Sequence, residues 1–107
     1  MKLPTIALLF VTLLLGACSG LIQTASISEA YKHYDRQQYD RTLKLISQAE
    51  NAETMSPDTK AELVYLKAMT YEEMGEIETA NTLYEYLIKE HSHSQYGYMA
   101  VKKSNGY

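Results

Sequence analysis

Residues 56–90 read SPDTKAELVYLKAMTYEEMGEIETANTLYEYLIKE, and the fold follows from how this stretch starts, breaks and resumes. Ser56-Pro57-Asp58 is a helix start. The serine oxygen accepts an otherwise unpaired backbone N–H, the proline gives up a donor that has no partner in the first turn, and the aspartate meets the positive end of the helix dipole. From Pro57 to about Met74, residues Ala61, Val64, Ala68 and Tyr71 recur at helical spacing. Gly75 then supplies the left-handed residue that ends the helix. A second helix opens near Ile77 and places Ala80, Leu83, Tyr84, Leu87 and Ile88 on its inner side.

The same organisation appears upstream. Ser26 and Glu29 have the spacing of a capping box, which predicts a helix start there, with Ile27, Ala30, Tyr31 and Tyr34 on one face. Gln37 and Gln38 mark a turn, Tyr39, Leu43, Ile46 and Ala49 line a second helix, and residues 51–55 form a loop. Downstream, a shorter helix runs from about Ser94 to Lys103. No run alternates with period two, and no helix interior contains proline. The pattern predicts an all-α domain over residues 26–104, about five helices in antiparallel pairs forming a short solenoid, with 105–107 as a tail. Tyr39 and Ile77, which follow the two turns, lie 38 residues apart, and helix, tight turn, helix and loop at a period of roughly 34 to 40 residues is the signature of a helical solenoid.

The N-terminus has a different character. Lys2 precedes an apolar run from Ile6 to Leu15 interrupted only by Thr12, and Leu15-Gly16-Ala17 leads into Cys18, the only cysteine. A membrane-spanning helix needs about 20 apolar residues, so this run is too short to stay as an anchor. A charged start, a short apolar core and small residues before the cut are the features of a secretory signal. The run resembles the lipobox of bacterial lipoproteins. That resemblance implies that 1–17 is removed, that Cys18 carries a covalent diacylglyceryl and acyl lipid, and that 18–25 forms the lipidated cysteine and a tether. Ser19, by the sorting rule of Gram-negative lipoproteins, implies delivery to the outer membrane, facing the periplasm. Two or three acyl chains hold firmly, since each buried methylene contributes about 0.8 kcal/mol.

Removing 1–17 leaves nine Lys and Arg against thirteen Asp and Glu, a net charge of −4. Nucleic acid is thereby disfavoured as a partner, because its phosphates call for clustered cations. With Cys18 esterified, the mature chain forms no disulfide and no cysteine metal site. His91 and His93 fall short of the four ligands a structural zinc takes, and they read as solvated residues at a helix end. Glu72, Glu73, Glu76 and Glu78 lack a partner base or a glycine-rich loop and read as a wet helix turn. Met55, Met69, Met74 and Met99 read as core filler. No enzyme activity, no metal and no cofactor beyond the covalent lipid are expected.

Residues 61–92 look like one tetratricopeptide repeat (TPR). Ala68 and Ala80 occupy the small positions where paired helices touch, Tyr71 and Tyr84 the aromatic positions, and Gly75 the turn. Residues 26–55 look like a second copy with Ala30 and Tyr39 in place, Gln37 standing for the turn glycine and Thr42 for the alanine. His91-Ser92-His93-Ser94-Gln95-Tyr96, followed by Ala100, is similar to a junction found in outer-membrane TPR lipoproteins. These include the lipoprotein of the β-barrel assembly machinery, which is more than twice as long, and periplasmic proteins that accompany the Tol system. This chain lacks the junction proline of that motif.

The resemblance implies a lipid-anchored adaptor for a protein partner in an envelope complex, such as β-barrel assembly, a secretion system or a pilus. Its first-helix positions correspond to Tyr31, Tyr34, Tyr65 and Met69 as the partner-binding residues, with Asp35, Glu62 and Glu72 nearby. Tyrosine suits such a face, because it buries much area at small entropic cost. A structural lipoprotein that self-associates without a client groove is the rival reading. A weak homodimer through Tyr31 and Tyr34 is also expected, because helix two covers those residues only in part. Cys18→Ser is expected to abolish labelling by a palmitate analogue and to leave a precursor or a soluble species, and unchanged labelling would refute lipidation at Cys18.

Overall fold

The computed structural model describes residues 23–51 and 54–106. The expected signal segment, the expected lipidation site Cys18, the first part of the expected tether, residues 52–53 of the expected loop and Tyr107 lie outside the described residues. Among the described residues there are five helices and no strand: α1 at 23–35, α2 at Tyr39–Glu50, α3 at Pro57–Glu73, α4 at Ile77–Glu90 and α5 at Gln95–Ser104. The fold is all-α, built from packed helix pairs. None of these helices is long and apolar enough to cross a membrane.

The starts of α3 and α5 are set by their caps. Ser56 accepts the Thr59 N–H at 3.1 Å with Pro57 at the first helical position, and Ser94 accepts the Gly97 N–H at 3.0 Å. The start of the first helix differs from expectation. Residue 23 is already helical, and Ser26 is a buried interior residue rather than a cap. Packing decides this: Ile27 and Ala30 join the core, while the Gln23 side-chain amide donates to the Ala49 carbonyl at the end of α2. Tertiary burial outweighs a favourable cap inside the helix. Residues 23–25, expected in the tether, are helical.

The two turns repeat each other in detail. Gln37 and Gly75 both take the left-handed conformation, at φ 61° and 82°. The Gln37 N–H donates to the Tyr34 carbonyl and the Gln38 N–H to that of His33. At 38 residues' remove, Gly75 donates to Glu72 and Glu76 to Tyr71. This paired closure satisfies carbonyls that a helix end would otherwise leave open. Thr42 and Ala80 then fall at matching buried positions. The Thr42 hydroxyl is satisfied by the Gln38 carbonyl, as that of buried Thr70 is by Leu66, so neither costs an unpaired polar group.

Helix α3 is the centre of the molecule. Leu63 and Leu66 are fully buried against Ala30, Leu45, Ile46 and Ala49 of α1 and α2. On its other side Ala61, Val64, Tyr65 and Ala68 pack with Ala80, Tyr84, Leu87 and Ala100 of α4 and α5. A helix apolar around most of its circumference belongs in the interior. The alanines let α3 and α4 approach closely. Gly97 does the same for α5: a Cβ there would sit 2.1 Å from the His91 carbonyl oxygen, so only glycine fits. The methionines divide. Met55 and Met69 pack on the core, whereas Met74 and Met99, read from sequence as core filler, are exposed.

The backbone of the two turns sets a pair of opposite expectations. A left-handed non-glycine residue costs about 1–2 kcal/mol, partly offset by the unfolded-state entropy that glycine adds. Gly75→Ala, where a Cβ meets nothing within 4 Å, should therefore destabilise by about 1 kcal/mol. Gln37→Gly should stabilise by about 0.5–1 kcal/mol. Urea midpoints at unchanged slope measure both, and shifts of the same sign would break the equivalence of the turns.

Candidate protein-binding face

Helices α1, α3 and α5 share one face. From α1 come Tyr31 and Tyr34, one turn apart. From α3 come Glu62, Tyr65, Met69 and Glu72, at the three-, four- and three-residue steps of one helix side. From α5 come Tyr96 and Lys103, seven residues apart. Of the four residues expected to contact a partner, Tyr31, Tyr34 and Met69 are half-buried. Tyr65 is not displayed. It is 6% exposed, with its ring tilted against Tyr84 at 5.9 Å and against Tyr96 at 5.8 Å between centroids. Tyr65 is a core ring under the face, and Tyr96 takes the surface position above it.

Two glutamates hold phenols in place. The Tyr31 hydroxyl donates to Glu62 at 2.8 Å, joining α1 to α3. The Tyr84 hydroxyl donates to one Glu72 oxygen at 2.6 Å, and the Lys103 ammonium reaches the other at 3.3 Å. That arrangement joins α4 and α5 to α3 through a single carboxylate. Tyr34 packs edge-on against Tyr39 across the first turn, with centroids 5.8 Å apart. Sequence reasoning placed Glu62 and Glu72 near the face but missed Tyr96 and Lys103, whose only signal was their two-turn spacing on the last helix.

Burial is the main cause that raises the pKa of all four phenols, Tyr31, Tyr34, Tyr65 and Tyr84. The hydrogen bond from each of Tyr31 and Tyr84 to its glutamate adds to the effect, as do the charges of Glu73 and Glu72 for Tyr34. For Tyr65 the Lys103 charge opposes the rise. These hydroxyls therefore stay protonated throughout the physiological range, and those of Tyr31 and Tyr84 donate to their glutamates. Among the described residues no group of three or more His, Cys, Asp or Glu is placed to hold a metal. His91 ends α4 and lies edge-on to Tyr86 at 5.5 Å.

Beyond the Tyr31–Glu62 pair the face opens into a cleft of about 430 Å³ between the start of α3 and the α4–α5 connection. Asp58, Glu62, His93, Ser94 and Tyr96 are among its walls. With Glu72 and Glu73 further along, the carboxylates outnumber Lys103, so the face combines aromatic area with negative charge. No family model matches the chain, and no curated protein or solved structure matches it significantly.

The raised phenol pKa values predict that stability declines in alkaline solution. Below pH 10, the ordinary tyrosine value, the folded and unfolded chains both keep these protons and the phenols add no pH dependence. Above it the unfolded chain releases protons that the folded chain retains, so stability falls as pH rises. For Tyr84 the slope is about 1.4 kcal/mol per pH unit. Urea melts between pH 8 and 11 test this, with Tyr84→Phe expected to flatten the decline. A flat wild-type profile would show that the phenols are not held protonated by the fold.

Proposed function

We propose that this chain is a lipid-anchored, periplasm-facing adaptor of the tetratricopeptide type. In this reading Cys18 fixes it to the outer membrane, and the α1–α3–α5 face binds a protein partner of an envelope assembly, in β-barrel insertion, secretion or pilus function. The supporting observation is the row of Tyr31, Tyr34, Met69 and Tyr96 on one face, with Tyr31 held by Glu62 and the rings of Tyr34 and Tyr96 packed on Tyr39 and Tyr65. Rigid aromatic area with few freely rotating side chains suits protein recognition, and the excess of acids favours a partner segment carrying Lys or Arg. The 38-residue repeat of the turns and the sequence around Cys18 support the repeat type and the anchor. The lipid raises the local concentration of the adaptor at the membrane where such assemblies sit.

Self-association without a client is favoured by one observation only. On α5 the side chains of Tyr98, Met99 and Val101 are exposed, Tyr98 to 62%. A photo-crosslinking residue placed in turn at Tyr34, at Tyr98 and at exposed Gln48 on α2 separates the readings in intact cells. The adaptor reading expects a discrete adduct with another protein from position 34, lost with Cys18→Ser, and none from position 48. An adduct of twice the chain's own mass from position 98, with nothing from position 34, would replace it by self-association.

A further inference from the structure

The antiparallel packing gathers specific segments at each end of the helix bundle. Gln23, in the first described turn of α1, bonds the last turn of α2 at Ala49. Helix α3 starts at that same end. Pro57 and Asp58 share a cleft with Glu90, His91, Ser92 and His93 of the α4–α5 connection. The two left-handed turns at Gln37 and Gly75 lie at the other end, with the last turn of α5, where Lys103 reaches Glu72. The 17 residues of α3 separate the two ends by about 25 Å at 1.5 Å per residue.

Only residues 19–22 stand between Cys18 and the helical residue 23. Even fully extended, that length of chain covers at most about 18 Å, less than the length of α3. The lipid therefore lies nearer to one end of the bundle than the bundle is long. The end in question is rich in small neutral polar groups, Thr54, Ser56, Thr59, Ser92, Ser94 and Gln95, with acids and bases intermixed. Such a surface suits contact with a headgroup layer rather than insertion into acyl chains, which takes exposed Trp, Phe or Leu.

We propose that the bundle end formed by the first described turn of α1, the end of α2, the start of α3 and the α4–α5 connection rests on the lipid headgroups, while the Gln37 and Gly75 turns point away from the bilayer. This placement rests on the anchor in the proposed function. The cleft at Asp58, Glu62 and Tyr96 then opens just above the headgroups. Tyr34 and Glu72 lie further out, so a partner is met along a line rising from the membrane.

Cys18 is consumed by lipid, so one introduced cysteine is the sole free thiol for labelling. The lipidated full chain, carrying either Ser92→Cys or Glu78→Cys with a fluorophore attached, is reconstituted into phosphatidylethanolamine–phosphatidylglycerol vesicles. A nitroxide on the headgroup acts as a short-range quencher. Quenching at position 92 is expected to exceed that at position 78 severalfold. Inserting twelve Gly and Ser residues after Ser19 should erase most of the difference. Vesicle flotation of the same samples reads the anchor separately. Floating protein with equal quenching, or with stronger quenching at 78, overturns the placement alone. Protein that does not float overturns the anchor and the placement with it.

Discussion

The burial of α3 from two sides is the constraint on which the rest of the structure depends. Leu63 and Leu66 face α1 and α2, while Ala61, Val64 and Ala68 face α4 and α5. Among the described residues no other helix joins both clusters, and Met69 alone packs against both. Truncating either leucine would leave a cavity that adjoining helices fill only in part, at about 2–5 kcal/mol, a large share of what a domain this small can hold. Two short helix pairs thus behave as one body because they share this element.

The polar contacts reinforce the same centre. Glu62 and Glu72, both on α3, receive Tyr31 from α1, Tyr84 from α4 and Lys103 from α5. The ion pair of Lys67 with Glu50 is longer, at 3.8 Å against 3.3 Å for Lys103 with Glu72 at similar exposure, and a partly exposed pair contributes little. A charge-assisted hydrogen bond is stronger than a neutral one, and the neighbouring rings reduce competition from water. The phenols therefore do more than fill space: they fix how α1, α4 and α5 are set around α3.

Punctuation was legible in the sequence where a local rule settles it. Ser56-Pro57 and Ser94 start helices, and Gly75 ends one. The turn at Gln37 was legible as a turn, although its left-handed backbone shows only in the structure. The start of α1 was not legible, because Ser26 satisfies a capping rule that contacts distant in sequence, Gln23 to Ala49 and Ala30 to α2, override. Reading one face per helix missed Leu63 and Leu66, since α3 buries opposite faces and periodicity assumes a single one. Tyr65 looked like a surface ring for a related reason: the residues that cover it, Tyr84 and Tyr96, arrive from other helices. Gly97 carried a signal that went unused, for a glycine inside a helix costs about 1 kcal/mol and marks a close approach.

Tyrosine rather than phenylalanine at this face has a consequence for recognition. A phenylalanine ring half-exposed at position 31 would be held by packing alone. The Tyr31 ring is held by packing and by a 2.8 Å bond to Glu62, and the Tyr96 ring lies over buried Tyr65. A partner docking there, in the proposed reading, meets rings already oriented, so less side-chain entropy is lost on binding. It also meets Glu62 with acceptor capacity left over after its single phenol, since a carboxylate has room for about four hydrogen bonds, whereas Glu72 already holds Lys103 as well as Tyr84. In that reading the bond that ties α1 to α3 also leaves a cation of the partner a fixed acceptor at Glu62.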